Sequence, residues 1–417
     1  MVRFEKLVLG NGLRVIVHRD ISTPIAAVNV LYDAGARDED PGRTGFAHLF
    51  EHLMFEGSVN IPDFDTRLQD AGGENNAFTT NDITNYYDTL PAQNLETAFW
   101  LESDRMLGLA FSEQKLEVQK NVVVEEFRQS YLNQPYGDVW MLLRPMAYQK
   151  HPYRWPTIGK DISHIRDASL ADVKHFFHKF YHPANAILSV SGNVEPDQVF
   201  RMAEKWFGDI PAGEPYIRNL PVEPAQTAQR RLRVEREVPF DQIFMAFHTG
   251  KRNDNDFFAT DLLSDVLSNG SSSRLVQHLV KEKRLFSEVN AYITGSMDRG
   301  LFVLTGKLHE ETSMEAAEQA LFDELRTLKD EPVGDRELQK IKNKAEASHI
   351  FSESNVMAKA VNLAYFELLG DAGLLNQQTS FYFEQTPDAL QKTARSLFEP
   401  ERASVLQYHS VKTNTSV

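Results

Sequence analysis

The chain contains no cysteine in 417 residues. Disulfides and thiolate metal sites are therefore excluded, and any metal must be held by His, Asp or Glu. It also lacks any apolar run of about 18 residues, the length needed to cross a bilayer as a helix, and its start, Met1-Val2-Arg3-Phe4-Glu5-Lys6, has no apolar signal core. The expectation is a soluble globular protein without a membrane span, cytoplasmic in a bacterium by default, or periplasmic if a leader has been removed. Positive charge is scarce: 44 Lys and Arg stand against 59 Asp and Glu, a net charge of -15. That balance argues against a nucleic-acid partner. What is present is apolar content of 42% over a length that allows two or more domains with full cores.

Phe4 to Val17 alternates around Gly10-Asn11-Gly12, a hairpin signal, and Pro24 to Ala34 reads as a third strand. Asp63 to Ala71 reads as a short helix, Asn76 to Leu90 as two extended segments broken at Asn81-Asp82, and Ser112 to Leu132 as a helix with Ser112 as its N-cap. The proline-rich stretch from Pro211 to Pro224 divides the chain. Past it the order of elements recurs: strand 242–248, helix 257–267, extended segments 290–294 and 300–308, and helices 313–329 and 336–369. The expected organisation is α+β, with two homologous domains, 1–213 and 226–417, joined by a linker at 214–225. Each is a mixed, mostly antiparallel sheet packed with helices.

His48-Leu49-Phe50-Glu51-His52 lies in a run whose apolar residues, Phe46, Leu49, Phe50, Leu53 and Met54, share one helix face, with Thr44 as the expected N-cap and Gly57 as the stop. Imidazoles one turn apart can each place a nitrogen about 2 Å from one zinc ion, and Glu51 on the adjacent strip can take a proton from a metal-bound water. In the later helix, Glu126 projects on the side of Leu116, Gln119, Val122 and Val123, whereas Glu125 projects toward Asn121, Arg128 and Gln129. A carboxylate facing the core needs a partner or a metal. This selects Glu126 as third ligand. The counterpart helix of the second half, around Asp261 to Asp265, has no histidine, so one half alone can hold the metal.

His-x-x-Glu-His is the inverted form of the common zinc-peptidase order. It is followed by Gly72-Gly73-Glu74-Asn75-Asn76-Ala77-Phe78-Thr79, by Val122-Val123-Val124-Glu125-Glu126, by His151-Pro152-Tyr153-Arg154, and by Phe180-Tyr181-His182-Pro183-Ala184-Asn185. Together these motifs resemble the pitrilysin family of zinc peptidases, in the branch of bacterial processing-peptidase-like enzymes and the mitochondrial processing peptidase β subunit. The resemblance implies one Zn2+ per chain on His48, His52 and Glu126, with Glu51 as general base. It implies substrate binding by Asn76, Ala77 and Phe78, where a peptide adds as an extra strand.

Two positions depart from the family pattern. Gln119 stands where the family has a glutamate seven residues before the ligand glutamate, and it is expected to act on the ligands by hydrogen bonding. The family's substrate-contacting Arg and Tyr, seven residues apart, fall on Val280 and Ser287, with Arg274 and Tyr292 nearby at the wrong spacing. In two-chain members one subunit carries the zinc motif and the other this pair. The expectation is thus a zinc-bearing subunit whose partner is a homologous metal-free chain, a homodimer being the other arrangement, acting on oligopeptides or unfolded segments. The alternative is a non-catalytic scaffold or assembly subunit. His175, His178 and His182 share spacings of three and four but have no interleaved carboxylate, and read as solvated helix histidines.

Overall fold

The computed structural model describes residues 1–411. They form two compact units, each assembled from three pieces of chain.

The first unit comprises Met1–Gln129, Trp155–Pro221 and His349–Gln377. Its sheet contains β1 (Glu5–Val8), β2 (Arg14–Arg19), β3 (Ile25–Tyr32), β4 (Glu74–Thr79), β5 (Thr84–Pro91) and β6 (Ala186–Gly192), in the order β1-β2-β6-β3-β5-β4. Only β2 and β6 pair in parallel. The hairpin read around Asn11-Gly12 is the β1–β2 pair, with Val8 opposite Arg14. The continuous apolar segments β3 and β6 take central places, as strands buried on both faces must.

The second unit comprises Ser130–Arg154, Val222–Ser348 and the chain from Gln378 onward. Its sheet contains β7 (Arg230–Arg236), β8 (Gln242–His248), β9 (Phe286–Ile293), β10 (Leu301–Leu308) and β11 (Ser404–Ser410), in the order β7-β11-β8-β10-β9. Again one pair, β7 and β11, is parallel. Strand for strand, β7 to β11 repeat β2 to β6 in chain order, sheet order and direction. The two sheets are copies of one topology, and β1 is an addition to the first.

The compact units differ from a division at 214–225, because each half of the chain gives the other one helix. The helix Val139–Ala147 packs on β7, β8 and β11, with Leu143 and Ala147 in a core with Phe244, Leu406 and Tyr408. The stretch 336–369 is not one helix: it breaks after Ser352, and Asn355 caps a new helix, Val356–Leu368, by accepting from the amides of Met357 (2.8 Å) and Ala358 (3.3 Å). That helix packs on β2, β3 and β6, where Val356 and Ala360 meet Ala27, and Lys359 pairs with Asp20 at 2.6 Å. The covered strands correspond in the two sheets. Each sheet is thus completed by the equivalent helix of the other half, a packing that hydrophobic periodicity cannot reveal because period identifies a buried face but not what it is buried against.

Ala360 is fully buried against the sheet of the first unit. Ala360→Asp should destabilise the protein by about 3 kcal/mol or more, since an unpaired carboxylate would be forced against Ala27. Urea unfolding followed by circular dichroism measures this, and Lys340→Asp, an exposed change on the preceding helix, should stay within about 0.5 kcal/mol.

Candidate metal centre

The helix that bears the histidines spans Phe46–Leu53. Phe46, Ala47, Leu49, Phe50 and Leu53 are buried, leaving His48, Glu51 and His52 on its half-buried side. Phe50 anchors it among Phe176, Phe177 and Tyr181, with ring centroids 5.0, 6.4 and 5.0 Å away. The Tyr86 hydroxyl donates to the carbonyl oxygen of Phe50 (3.2 Å). Thr44 is not the N-cap. Its hydroxyl receives the amide of Lys160 (2.9 Å) and lies 2.9 Å from Nδ1 of His164, while Gly45 occupies the cap position and Glu39 accepts the amides of Gly45 and Ala47. The helix also ends earlier than Gly57, at Leu53, with Gly57 in a left-handed turn beyond it (φ 94°).

The third residue comes from the helix Glu113–Phe127, which starts at Ser112 as expected, the Ser112 hydroxyl accepting the Lys115 amide at 3.2 Å. After Phe127 it widens into a π-helical turn, Arg128–Leu132, a feature often found beside functional residues. Glu126 does not face the core. Its side chain is 40% exposed, and Val122, one turn earlier, is 43% exposed. Glu126 instead faces the two histidines: His48 Nε2 lies 3.7 Å from Oε1, and His52 Nε2 lies 3.5 Å from Oε2. Glu125 turns away and pairs with Arg128. The projection picks the residue that meets the histidines for a reason that fails in three dimensions, since proximity to them, and not burial, distinguishes Glu126.

One donor atom each from His48, His52 and Glu126 lies within 4.8 Å of the others, the only such His/Asp/Glu group among the described residues. Ligands about 2 Å from one tetrahedral ion stand about 3.3 Å apart, so nitrogen and oxygen donors at these separations fit zinc. Burial holds the His48 imidazole below its usual range, against the pull of the Glu126 and Glu51 carboxylates. A hydrogen bond with His52 holds Glu126 below the usual carboxylate range. Both shifts favour the metal-binding forms, neutral imidazole and ionised carboxylate. His48 Nδ1 is buried with no hydrogen-bond partner among the described residues.

Gln119 donates to the Glu56 carboxylate, and Lys115 to the Glu56 carbonyl oxygen. Gln119 therefore ties the Glu126 helix to the end of the histidine segment. Asn76, Ala77 and Phe78 lie on β4, the edge of the first sheet, which packs beside the histidine helix. The Ala77 amide is held by the Asn76 side chain at 2.8 Å. In the second unit, Val280 packs partly buried against the core, Ser287 and Tyr292 lie on the edge strand β9, and Arg274 is paired with Glu337 at 2.8 Å. His175 and His178 are exposed while His182 is buried, so these three form no cluster.

His48, His52 and Glu126 lie inside residues 14–161, which match the family profile described as Insulinase (Peptidase family M16), and residues 167–345 match that of the Peptidase M16 inactive domain. The chain belongs to the pitrilysin, or M16, peptidase family. Among M16 relatives it is 29% identical to the zinc protease PqqE of Helicobacter pylori over 97% of this chain and 92% of that one. It is 23% identical to the mitochondrial-processing peptidase subunit beta of Saccharomyces cerevisiae over 82% of this chain and 77% of that one. A crystal structure of a protease from Helicobacter pylori superposes with a TM-score of 0.91 at 28% identity, covering 98% of this M16 chain and all of that one. No helix among the described residues is long and apolar enough to cross a membrane.

Removing the donor that faces both imidazoles should separate the two adjacent glutamates. Glu126→Ala should reduce bound zinc to below about one-tenth of the wild-type content, and Glu125→Ala should leave it unchanged, as measured by elemental analysis after dialysis.

Proposed function

We propose that this chain is a zinc-dependent endopeptidase acting on oligopeptides or unfolded polypeptide segments, with one zinc held by His48, His52 and Glu126. The observation that carries this reading is the convergence of the three donors with Glu51 on the same half-buried face as the two histidines. Zinc held by these three residues would supply Lewis acidity toward a peptide carbonyl and toward the attacking water. Glu51, on the strip beside His48 and His52, takes the proton of the attacking water and returns it to the leaving amine. The outer edge of β4 receives the peptide as an added strand through the backbone of Asn76, Ala77 and Phe78, and Ala77 exchanges its Asn76 contact for a substrate carbonyl.

The chain acts as the zinc-bearing subunit of a two-chain enzyme. Supporting this, Val280 and Ser287 stand at the positions of the expected Arg and Tyr, and Arg274, the nearby arginine, is already paired with Glu337. The same absence favours a second reading, in which the chain is a non-catalytic scaffold of this fold.

Purified alone, the chain should hold zinc and cleave a quenched fluorescent peptide weakly, and turnover should rise at least tenfold when a homologous metal-free chain is added. Full activity without that chain would refute the two-subunit arrangement. Zinc-free, inactive protein under both conditions would leave the scaffold. Glu51→Gln should keep its zinc and lose about 10²- to 10⁴-fold in kcat.

A further inference from the structure

We propose that Glu39 is a positioning residue for the metal centre: its carboxylate caps the His48 helix and sets His48, Glu51 and His52 against Glu126. The proposal rests on the zinc reading above. The helix Phe46–Leu53 is only two turns long, so an error in its start is carried directly to the ligands. The first amides of any helix need acceptors from outside it. Gly45, at the cap, has no side chain to offer. Nor would one fit: Gly45 has φ 91°, and a Cβ there would lie 2.6 Å from the Ile158 carbonyl oxygen. Thr44 is occupied with Lys160 and His164.

Glu39 fills the gap from six residues upstream. Its Oε2 accepts the Gly45 amide and its Oε1 the Ala47 amide, each at 2.9 Å. Ala47 directly precedes the first histidine. A carboxylate at a helix N-terminus is favoured by the helix dipole, but this one is only 5% exposed. An exposed Ser or Asp cap would stabilise a helix with far less desolvation. What the buried carboxylate adds is direction, because two bonds from one rigid planar group fix both the rotation and the axial place of the helix. The Trp155 indole, which donates to the Ala36 carbonyl oxygen at 2.9 Å, also lies against it. Asp38 is the charged group that faces it, and Asp38 is itself engaged by the Gly35 amide and Arg218. Burial pushes the Glu39 carboxyl up to about 8, with the Ala47 and Gly45 amides pulling the other way.

Glu39→Gln keeps the shape but turns a carboxamide NH2 donor toward one of the two helix N–H groups. It should weaken zinc binding about 10- to 100-fold by chelator competition, the range typical of groups that orient metal ligands. The visible spectrum of the cobalt-loaded protein should change as well. Glu39→Asp, too short to reach both amides, should fall between, and it carries the test if Glu39→Gln fails to fold. Asp38→Asn is the control: it loosens the same buried pocket without touching the helix, and it should leave zinc affinity within about twofold. Unchanged affinity and cobalt spectrum in Glu39→Gln, or an equal loss in Asp38→Asn, would overturn the proposal. Wild-type protein that takes up no zinc would overturn the zinc reading itself, and this proposal with it.

Discussion

Everything at the candidate metal centre depends on how firmly one two-turn helix is held. A helix of eight residues is marginal by itself in water, because so few backbone bonds offset the cost of nucleation. Its stability must come from packing and from its ends. Phe50, locked among Phe176, Phe177 and Tyr181, holds the buried side. Glu39 holds the start, Tyr86 reaches the Phe50 carbonyl, and Gln119 with Lys115 grips Glu56 just past the end. These contacts fix the His48 and His52 rings facing Glu126. Glu126 sits on a helix whose outward face stays open at Val118 and Val122, so the donors are walled on one side and accessible on the other.

The topology is doubled, yet the group of donors occurs once among the described residues. Both sheets run through the same five strands in the same directions, and each has an edge strand in the same place, β4 and β9. The scaffold for a site exists twice. The chemistry does not, because the helix Phe257–Ser268 of the second unit carries no histidine. The exchanged helices Val139–Ala147 and Val356–Leu368 make each sheet depend on both halves of the chain, so neither half, cut at the linker, would contain its own complete core.

Much of this was legible from residues alone where the cause is local. The Asn-Gly hairpin, the helix start at Ser112 and the recurrence of elements past the linker follow from turn chemistry, capping and periodicity. Legibility ended where distant segments compete for one role. Thr44 looked like the cap of the histidine helix, but its hydroxyl is taken by Lys160 and His164, which arrive more than a hundred residues later. Only the lack of a side chain at Gly45 hinted that an acceptor must come from elsewhere. The apolar neighbours of Glu126 predict a buried face, and that face is half open.

The sequence by itself determined the kind of chemistry available: no thiolate, two imidazoles one turn apart, a carboxylate between them, and a counterpart helix in the second half without histidine. These follow from side-chain identity and helical spacing, which no tertiary contact can alter. Tertiary structure decided which glutamate meets the histidines, which carboxylate starts their helix and which half completes each sheet. Those outcomes depend on packing between segments far apart in the chain, where many pairings satisfy the same periodicity and only mutual fit selects one.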